Sequence, residues 1–150
     1  GIVIRTHSVG EDDRAVYETI EAAFHDHWRH VPIAYEQWQH WNIKDEEFDP
    51  SLWFLAMDGD VVAGALMGWP TAGDDAEMGV VSDLGVRPEW RKRGIGEALL
   101  LHAFHAFHQR GIPKVTLTVD TDSPTNAPAL YERVGMRPAE NLVIYEKTVR

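Results

Sequence analysis

Apolar positions along this 150-residue chain recur with two periods, one typical of helices and one typical of strands. Val16, Ile20 and Phe24 recur at the spacing of one helical face, and three further stretches favour helices on similar grounds. The predicted helices are Glu11 to about Arg29, an aromatic segment at Tyr35–Trp41, Ile95–Arg110 and Ala127–Val134. Shorter alternating or β-branched runs predict strands. The predicted strands are Ile2–Arg5, Leu52–Met57, Val61–Trp69, Glu77–Val86, Lys114–Val119 and Leu142–Lys147.

These elements follow one another in the order β-α-α-β-β-β-α-β-α-β. Asp58-Gly59 is a two-residue hairpin signal between the second and third strands. Strands and helices mix, and a hairpin meander occupies the middle of the chain. We therefore expect an α/β fold of the α+β kind, with a mixed sheet and helices on its faces. The length favours one domain over residues 1–150.

Composition and charge exclude several classes of function. The chain has no cysteine, which excludes disulfides, cysteine nucleophiles and thiolate zinc sites and fits a cytoplasmic location. No apolar run approaches the roughly 20 residues of a membrane span and no signal peptide opens the chain, so no membrane partner is expected. The formal net charge of −10 argues against a nucleic-acid partner. It suits cationic or amine-bearing partners, with solubility alone as the alternative.

A glycine-rich, basic turn between the fourth strand and the third helix is the most informative segment. It reads Leu84-Gly85-Val86-Arg87-Pro88-Glu89-Trp90-Arg91-Lys92-Arg93-Gly94-Ile95-Gly96. The first amides of a helix lack partners and carry the positive end of its dipole, and glycines allow an anion to approach them. With Arg91, Lys92 and Arg93 beside those amides, the turn is a candidate pyrophosphate cradle in an otherwise acidic chain.

Two familiar nucleotide motifs do not fit this turn. A P-loop needs four residues between its glycines followed by Lys-Ser or Lys-Thr, and the dinucleotide fingerprint needs Gly-x-Gly-x-x-Gly early in a βαβ unit. Taken alone, the pattern Arg-x-x-Gly-x-Gly is also typical of a plain helix start with surface arginines. That alternative stays open at this point.

The stretch from Val81 to Gly96 resembles the acyl-CoA-binding motif of the GCN5-related N-acetyltransferases (GNAT). Arg91, Gly94 and Gly96 occupy the three fixed positions of that motif. A second stretch, Asn126–Met136, is similar to the family's helix that ends Leu-Tyr-x-x-x-Gly-Phe, with Met in place of the Phe. The element order is similar as well, so the resemblance covers nearly the whole chain.

The resemblance implies acetyl-CoA as co-substrate and assigns a site for it. In the family, amides of the turn hold the CoA pyrophosphate, and the preceding strand pairs through its backbone with the pantetheine arm. Relatives also place an asparagine near the later helix. Ser123 or Asn126 is the candidate here, with a helix-cap role as the alternative. The cofactor-binding candidates are Leu84, Gly85, Val86, Arg91, Lys92, Arg93, Gly94, Ile95, Gly96, Ser123 and Asn126.

Direct transfer to an amine needs an acid for the leaving thiolate and a base for the amine. By resemblance Tyr131 faces the CoA sulfur, and a phenol with a pKa of about 10 is protonated at neutral pH. Packing of this tyrosine on the core is the alternative. The family's usual base position holds Val80, which cannot take a proton. Asp83, which alternates away from Leu84, and Glu77 are the base candidates; a base acting through water, or no base, remains open.

Aromatic residues crowd the first two helices, a region that forms a wall of the acceptor site in the resembled family. Trp28, Tyr35 and Trp38 are the substrate-binding candidates, because aromatic rings bind organic amines by stacking or cation–π contact. Ordinary core packing is the alternative for each of them. The histidines of the third helix drift around it instead of converging, so no metal is expected.

The sequence therefore favours transfer of an acetyl group from acetyl-CoA to a primary amine of a small molecule or a protein. Two rivals remain: a CoA-binding module with little or no catalysis, and transfer of a longer acyl group. The run 120–125 before Leu130–Arg133 looks like the tandem-domain branch that includes mycothiol synthase. This raises the hypothesis that the chain is the C-terminal half of such a protein, acting as a monomer or homodimer.

Overall fold

A computed structural model describes residues 1–24, 32–71, 77–118, 132, 134–139 and 144–149 of the chain. Within these ranges seven strands form one mixed sheet, and three α-helices accompany it. The expected α/β fold with a mixed sheet is confirmed.

The strands follow each other across the sheet in the order β1-β2-β3-β4-β5-β7-β6. They are β1 (Ile2–Thr6), β2 (Trp53–Asp58), β3 (Val61–Trp69), β4 (Met78–Val86), β5 (Lys114–Thr118), β6 (Arg137–Ala139) and β7 (Ile144–Thr148). β4 and β5 pair in parallel, and the other neighbours pair antiparallel. The helices are α1 (Asp13–Phe24), α2 (Tyr35–Trp41) and α3 (Ile95–Gln109), with short 3₁₀ turns at Pro50–Leu52 and Pro88–Trp90.

Strand β6 corrects the predicted element order, which omits it. β6 has three residues, and Pro138 is the middle one. A proline cannot donate to a ladder and is tolerated mainly at a sheet edge, which is where β6 lies. The predicted helix Ala127–Val134 falls outside the described residues except near its end, where Glu132 is helical. The predicted extension of α1 beyond Phe24 also falls outside them.

Helices cover both faces of the sheet, and each face has its own apolar cluster. On the first, the α3 face, fully buried residues of α3 pack against the sheet: Leu99, Leu100, Ala103 and Phe107. On the second, the α1 face, α1 and α2 meet the side chains of β2 and β3: Val16, Ile20, Trp38, Trp53, Leu55, Ala65 and Met67. The central strands are therefore apolar on both sides.

Two glycines let the helices approach β4 closely. A Cβ at Gly79 would lie 2.4 Å from a ring carbon of Phe107, so Gly79 points to the α3 face. A Cβ at Gly85 would lie 2.7 Å from the Cβ of Ala23, so Gly85 points to the α1 face. Contacts this short are not tolerated without movement of the neighbouring element. α3 thus packs closely on the start of β4, and α1 packs closely on its end, where the basic turn begins.

Candidate active site

Strands β4 and β5 separate part-way along β4. Their parallel ladder ends at the pair Val81–Leu117, whereas β4 continues to Val86 on its β3 side. From Ser82 onward, the β5-facing edge of β4 has no partner strand in the part of the chain that the structure describes. Such an edge offers backbone amides and carbonyls with which an extended ligand can pair.

Three predicted cofactor contacts lie along this open part of β4. Leu84 and Val86 pack their side chains against the α3-face cluster, and Gly85 lies under α1. Their side chains are therefore used by the core. The backbone groups of Leu84 and Val86 that point away from β3 remain for a ligand, apart from the Val86 carbonyl, which accepts from Arg91. This agrees with the strand-like pairing that the family resemblance implies.

Arg91 fastens the turn after β4 to the rest of the domain. Its Nε lies 3.2 Å from the carbonyl oxygen of Val86, and its Nη2 lies 2.6 Å from the carbonyl oxygen of Ala23 in α1. The guanidinium thus donates to two backbone carbonyls and shapes the turn. Lys92 and Arg93 are exposed, so their charges face solvent and any anion that binds there.

The same turn contains backbone in the left-handed region. Lys92 has φ of 66°, the one positive value among the described non-glycine residues, and Gly94 has φ of 77°. For a residue with a Cβ this conformation costs on the order of 1 kcal/mol or more. Backbone strain of this kind clusters at functional sites, which makes Lys92 a marker of one.

Helix α3 begins with free space beside its first amides. Gly94 caps it without a side-chain hydrogen bond, and the first bond of the helix joins the amide of Ala98 to the carbonyl of Gly94 at 3.0 Å. The amides of Ile95 and Gly96 therefore have no acceptor inside the helix. A Cβ on Gly94 would meet no heavy atom within 4 Å. Amides, helix dipole and two exposed cations together fit a phosphate group, as a CoA pyrophosphate requires.

A bulge in β4 brings two polar side chains to one face. Asp83 pairs with Met67 and Val81 pairs with Gly68, so Ser82 is the extra residue. The Oγ of Ser82 lies 3.1 Å from Oδ2 of Asp83. Strict alternation would send these neighbours to opposite faces, whereas the bulge directs both toward α1.

The Asp83 carboxyl lies partly buried on the α1 face, opposite to Leu84 as the sequence alternation predicts. Burial raises the pKa of Asp83 above its usual range, the hydrogen bond from Ser82 opposes that rise, and the negative charge of Glu21 on α1 adds to it. A carboxyl with a raised pKa is a better proton acceptor near neutral pH than an ordinary one. Perturbed groups of this kind concentrate at functional sites.

The second base candidate, Glu77, lies elsewhere. It is exposed and precedes β4, at the end of the strand remote from the turn. At about 3.3 Å per residue, its Cα lies roughly 20 Å from that of Asp83. Asp83 stands beyond the last β4–β5 pair, within the open part of β4. The geometry therefore favours Asp83 over Glu77.

The predicted aromatic wall belongs largely to the core. Trp38 is only 5% exposed and packs against Trp53 and Tyr35. One face of Tyr35 is covered by the guanidinium of Arg14, 4.3 Å from the ring centroid. These contacts favour core packing for Trp38 and leave Tyr35 half-buried. Trp28 lies outside the described residues.

One aromatic residue beside the bulge is not predicted as a site residue by the sequence. Trp69, at the end of β3, places its Nε1 2.8 Å from Oγ of Ser82, and its ring packs on Trp53 with centroids 5.8 Å apart. Glu21 of α1 is not predicted as one either. The position of Trp69 depends on the β3–β4 register, and that of Glu21 depends on how α1 lies over the sheet. The spacing of residues along the sequence predicts neither.

Besides Trp28, three predicted site residues lie outside the described residues: Ser123, Asn126 and Tyr131. The end of the second motif is described. Gly135 has φ of 91° and donates its amide to the carbonyl of Glu132 at 3.0 Å, as glycines that end helices do. Met136, in place of the family's Phe, is 2% exposed in the α3-face cluster.

Metal and membrane features can be assessed for part of the chain. Within the described ranges, no group of three or more His, Asp or Glu side chains is arranged to hold a metal ion. None of the helices in those ranges is long and apolar enough to cross a membrane. A metal-free site stays a prediction.

Comparison with known proteins decides the family. The family model described as "Acetyltransferase (GNAT) family" matches residues 14–136, which is more than half of the chain. The chain belongs to the GNAT acetyltransferase family. The resemblance carried by the basic turn and by the second motif is thereby confirmed, together with the GNAT-like fold.

Two relatives of this GNAT chain are about twice as long as it is. It is 33% identical to a mycothiol acetyltransferase from Thermobifida fusca (strain YX), over 96% of this chain and 46% of that protein. It is 38% identical to a GCN5-related N-acetyltransferase from Sphaerobacter thermophilus, with a TM-score of 0.78, over 100% of this chain and 45% of the other. An acetyltransferase of the GNAT family from Staphylococcus aureus Mu50 shares the fold, with a TM-score of 0.81 at 16% identity.

The chain thus spans slightly less than half the length of the first two relatives. The predicted likeness to the branch that includes mycothiol synthase is confirmed by these matches. That the chain is the C-terminal half of such a protein stays a prediction, as does a single domain over residues 1–150.

Proposed function

We propose that this GNAT chain transfers an acetyl group from acetyl-CoA directly to a primary amine. One observation carries the proposal: the open edge of β4 begins at the Ser82–Asp83 bulge and leads to the start of α3. A candidate base and a phosphate-fitting turn therefore stand at the two ends of one strand edge that has no partner among the described residues. The predicted cytoplasmic location is part of the same proposal.

Acetyl-CoA matches this arrangement part by part. The amides of Ile95 and Gly96, with Lys92 and Arg93, suit its pyrophosphate. The backbone of Leu84–Val86 suits the amides of its pantetheine arm. When bound, acetyl-CoA supplies the activated thioester. Ser123 and Asn126 are further candidate contacts by family resemblance.

The chemistry assigned to this chain consists of two proton movements around one bond exchange. Asp83 takes a proton from the ammonium group of the acceptor, which frees a nitrogen lone pair. The nitrogen attacks the thioester carbonyl carbon, so a C–N bond forms and the C–S bond breaks. Tyr131 gives its proton to the departing thiolate; the acylated nitrogen loses its second proton to water as the amide forms, and water returns a proton to Tyr131.

The net charge of the chain and the names of its relatives favour one chemical class of acceptor. The net charge of −10 and the presence of Glu21 near Asp83 favour a cationic group on that face. A small molecule is favoured over a protein, because relatives of 30–33% identity are named mycothiol acetyltransferases. The proposed base requires an acceptor that arrives as an ammonium group, as a primary amine does near neutral pH.

Two measurements test the proposal. Calorimetric titration of acetyl-CoA should give micromolar binding, and release of CoA thiol should follow when a panel of primary amines is added. Binding without turnover for any amine would favour a CoA-binding module instead. Faster turnover with succinyl-CoA than with acetyl-CoA would favour transfer of a longer acyl group.

Two variants test the base. Asp83→Asn should lower kcat/KM by about 100-fold or more, the contribution typical of general base catalysis. Glu77→Gln is the matched comparison and should change it by less than about threefold. A large loss of kcat/KM in Glu77→Gln and a small one in Asp83→Asn would assign the base to Glu77. Small losses in both variants would indicate that the amine binds already neutral.

A further inference from the structure

A chain of two hydrogen bonds leads from the indole of Trp69 to the carboxylate of Asp83. Nε1 of Trp69 lies 2.8 Å from Oγ of Ser82, and that Oγ lies 3.1 Å from Oδ2 of Asp83 and 3.4 Å from the carbonyl oxygen of Met67. Neither Trp69 nor Ser82 has a role in the proposed chemistry as stated above.

The direction of these bonds follows from the groups themselves. An indole N–H can only donate, so Ser82 accepts from Trp69. The hydroxyl of Ser82 has one proton. Because one of its lone pairs accepts from the indole, that proton points away from the indole. Its two acceptors are the carboxylate of Asp83 and the carbonyl of Met67. The carboxylate is both nearer and charged, and charge-assisted bonds are the stronger ones.

The indole of Trp69, which begins these two hydrogen bonds, is partly buried against the apolar cluster of the α1 face. The ring of Trp69 packs edge-on against Trp53, which is 0% exposed. Trp53 is in turn surrounded by His7, Trp38 and Phe48. A donor whose ring is locked by packing can fix the hydroxyl that it binds.

We infer that Trp69 and Ser82 are positioning residues that hold Asp83 in the geometry and charge state of the proposed base. Ser82 engages Oδ2, which directs the remaining oxygen of the carboxylate toward the acceptor amine. The bulge is what makes this possible, because it directs both side chains toward α1. The inference rests on the proposed function, in which Asp83 is the base.

Among the described residues, few charged groups lie where they could compete with this hydrogen bond in setting the charge state of Asp83. Glu21 is the charged group of α1 that acts on it. β3 contributes no titratable side chain, and the charge of β5, Lys114, lies opposite Met78 at the far end of the ladder. The acidic and histidine side chains of α3 belong to the helix on the other face, and Arg91 is bound to backbone carbonyls.

The test compares Ser82→Ala with Ser82→Thr, which keeps the hydroxyl, and with Trp69→Phe, which removes the indole N–H but keeps an aromatic ring. Trp41→Phe, at an exposed tryptophan in α2, is the matched control. The first readout is the ¹³C carboxyl titration of Asp83 in the protein alone, assigned from the Asp83→Asn spectrum. The second is the pH profile of kcat/KM with acetyl-CoA and the amine turned over fastest in the panel.

In Ser82→Ala, we expect the titration midpoint of Asp83 and the acidic limb of kcat/KM to move together to higher pH. kcat/KM at pH 7 should fall by about tenfold and recover toward pH 9, because a hydrogen bond to the charged form has been lost. Trp69→Phe should move both in the same direction but less far. Ser82→Thr should restore both, and Trp41→Phe should change neither.

Two results would overturn the inference, and they differ in what they say about the proposed function. An unmoved Asp83 midpoint in both Ser82→Ala and Trp69→Phe removes the positioning role but leaves Asp83 as a base. If the Asp83 midpoint moves while the acidic limb of kcat/KM stays in place, the two hydrogen bonds have no role in catalysis. The same result removes the assignment of Asp83 as the base.

Discussion

The guanidinium of Arg91 reaches back to the carbonyl oxygen of Ala23 at 2.6 Å and so joins the basic turn to the end of α1. The family motif that carries this arginine is therefore a packing device as well as a source of positive charge. Arg91 donates to this helix carbonyl from outside the helix. The turn, the end of β4 and α1 are held as one unit.

Arg91→Met and Lys92→Met should separate packing from charge at the turn. Arg91→Met should lower the free energy of unfolding by about 1–2 kcal/mol, because two carbonyls lose a charged donor. Lys92→Met removes the same charge from an exposed position and should weaken acetyl-CoA binding by about two- to fivefold with little change in stability. Urea unfolding and calorimetric titration measure the two effects. Equal stability of the two variants would contradict the packing role.

The positive φ of Lys92 gives a second prediction. Lys92→Gly and Lys92→Ala remove the same charge, but only glycine adopts φ of 66° without strain. Lys92→Gly should therefore be more stable than Lys92→Ala by about 1 kcal/mol in urea unfolding. Identical midpoints would mean that the left-handed conformation is not retained in solution.

Asp83→Asn should stabilise the protein near neutral pH. The pKa of Asp83 is raised in the folded state from 3.8, so the folded chain holds this proton more tightly than the unfolded chain does. Its contribution to stability falls as pH rises from about 4 through the folded-state pKa. The variant should therefore gain a few degrees in Tm at pH 7.5, at roughly 2–4 °C per kcal/mol for a domain of this size.

The gain in Asp83→Asn should vanish near pH 3, where the wild-type carboxyl is protonated in both states. Asp60→Asn, in the exposed β2–β3 turn, is the control for removing one negative charge. Thermal unfolding of the three proteins between pH 3 and pH 8 gives the comparison. A Tm gap between Asp83→Asn and wild type that does not depend on pH would rule out the buried charge as its cause.

Gly85→Ala tests the close approach of α1 to β4. The new Cβ would lie 2.7 Å from the Cβ of Ala23, and neither atom is the end of a flexible side chain. A loss of about 1–3 kcal/mol in unfolding free energy is expected from this overpacking. Ala23→Gly alone should cost about 0.5–1 kcal/mol. Because Ala23→Gly removes the Cβ that the new side chain would meet, the double variant should lose less unfolding free energy than the two single variants together. Strict additivity would show that the two residues do not touch.

Sequence alone predicts the elements whose signals are local. The span Val61–Trp69 and the start of α3 at Ile95 agree with their predicted bounds, because turn residues and periodicity mark them directly. The basic turn was found in the same way. β6 is not predictable in this way, because Pro138 argues against a strand, and its place at the sheet edge, where proline is tolerated, depends on the tertiary fold.

The candidate site is less predictable, because its key relationships cross between elements. Asp83 was identified as a base candidate from its type and position, but its preference over Glu77 depends on where β5 stops pairing. The contact between Trp69 and Ser82 depends on a bulge that shifts the β3–β4 register by one residue. The sequence predicts Trp38 and Tyr35 alike as substrate contacts, yet packing buries Trp38 and only half-buries Tyr35.

The separation of β5 from β4 also has a consequence for handling this protein. A strand edge without a partner attracts other extended chains, and within the described residues β4 has such an edge from Ser82 to Val86. A cofactor lying along that edge would act as a cap against self-association, so preparations stripped of acetyl-CoA should aggregate sooner on concentration than preparations saturated with it.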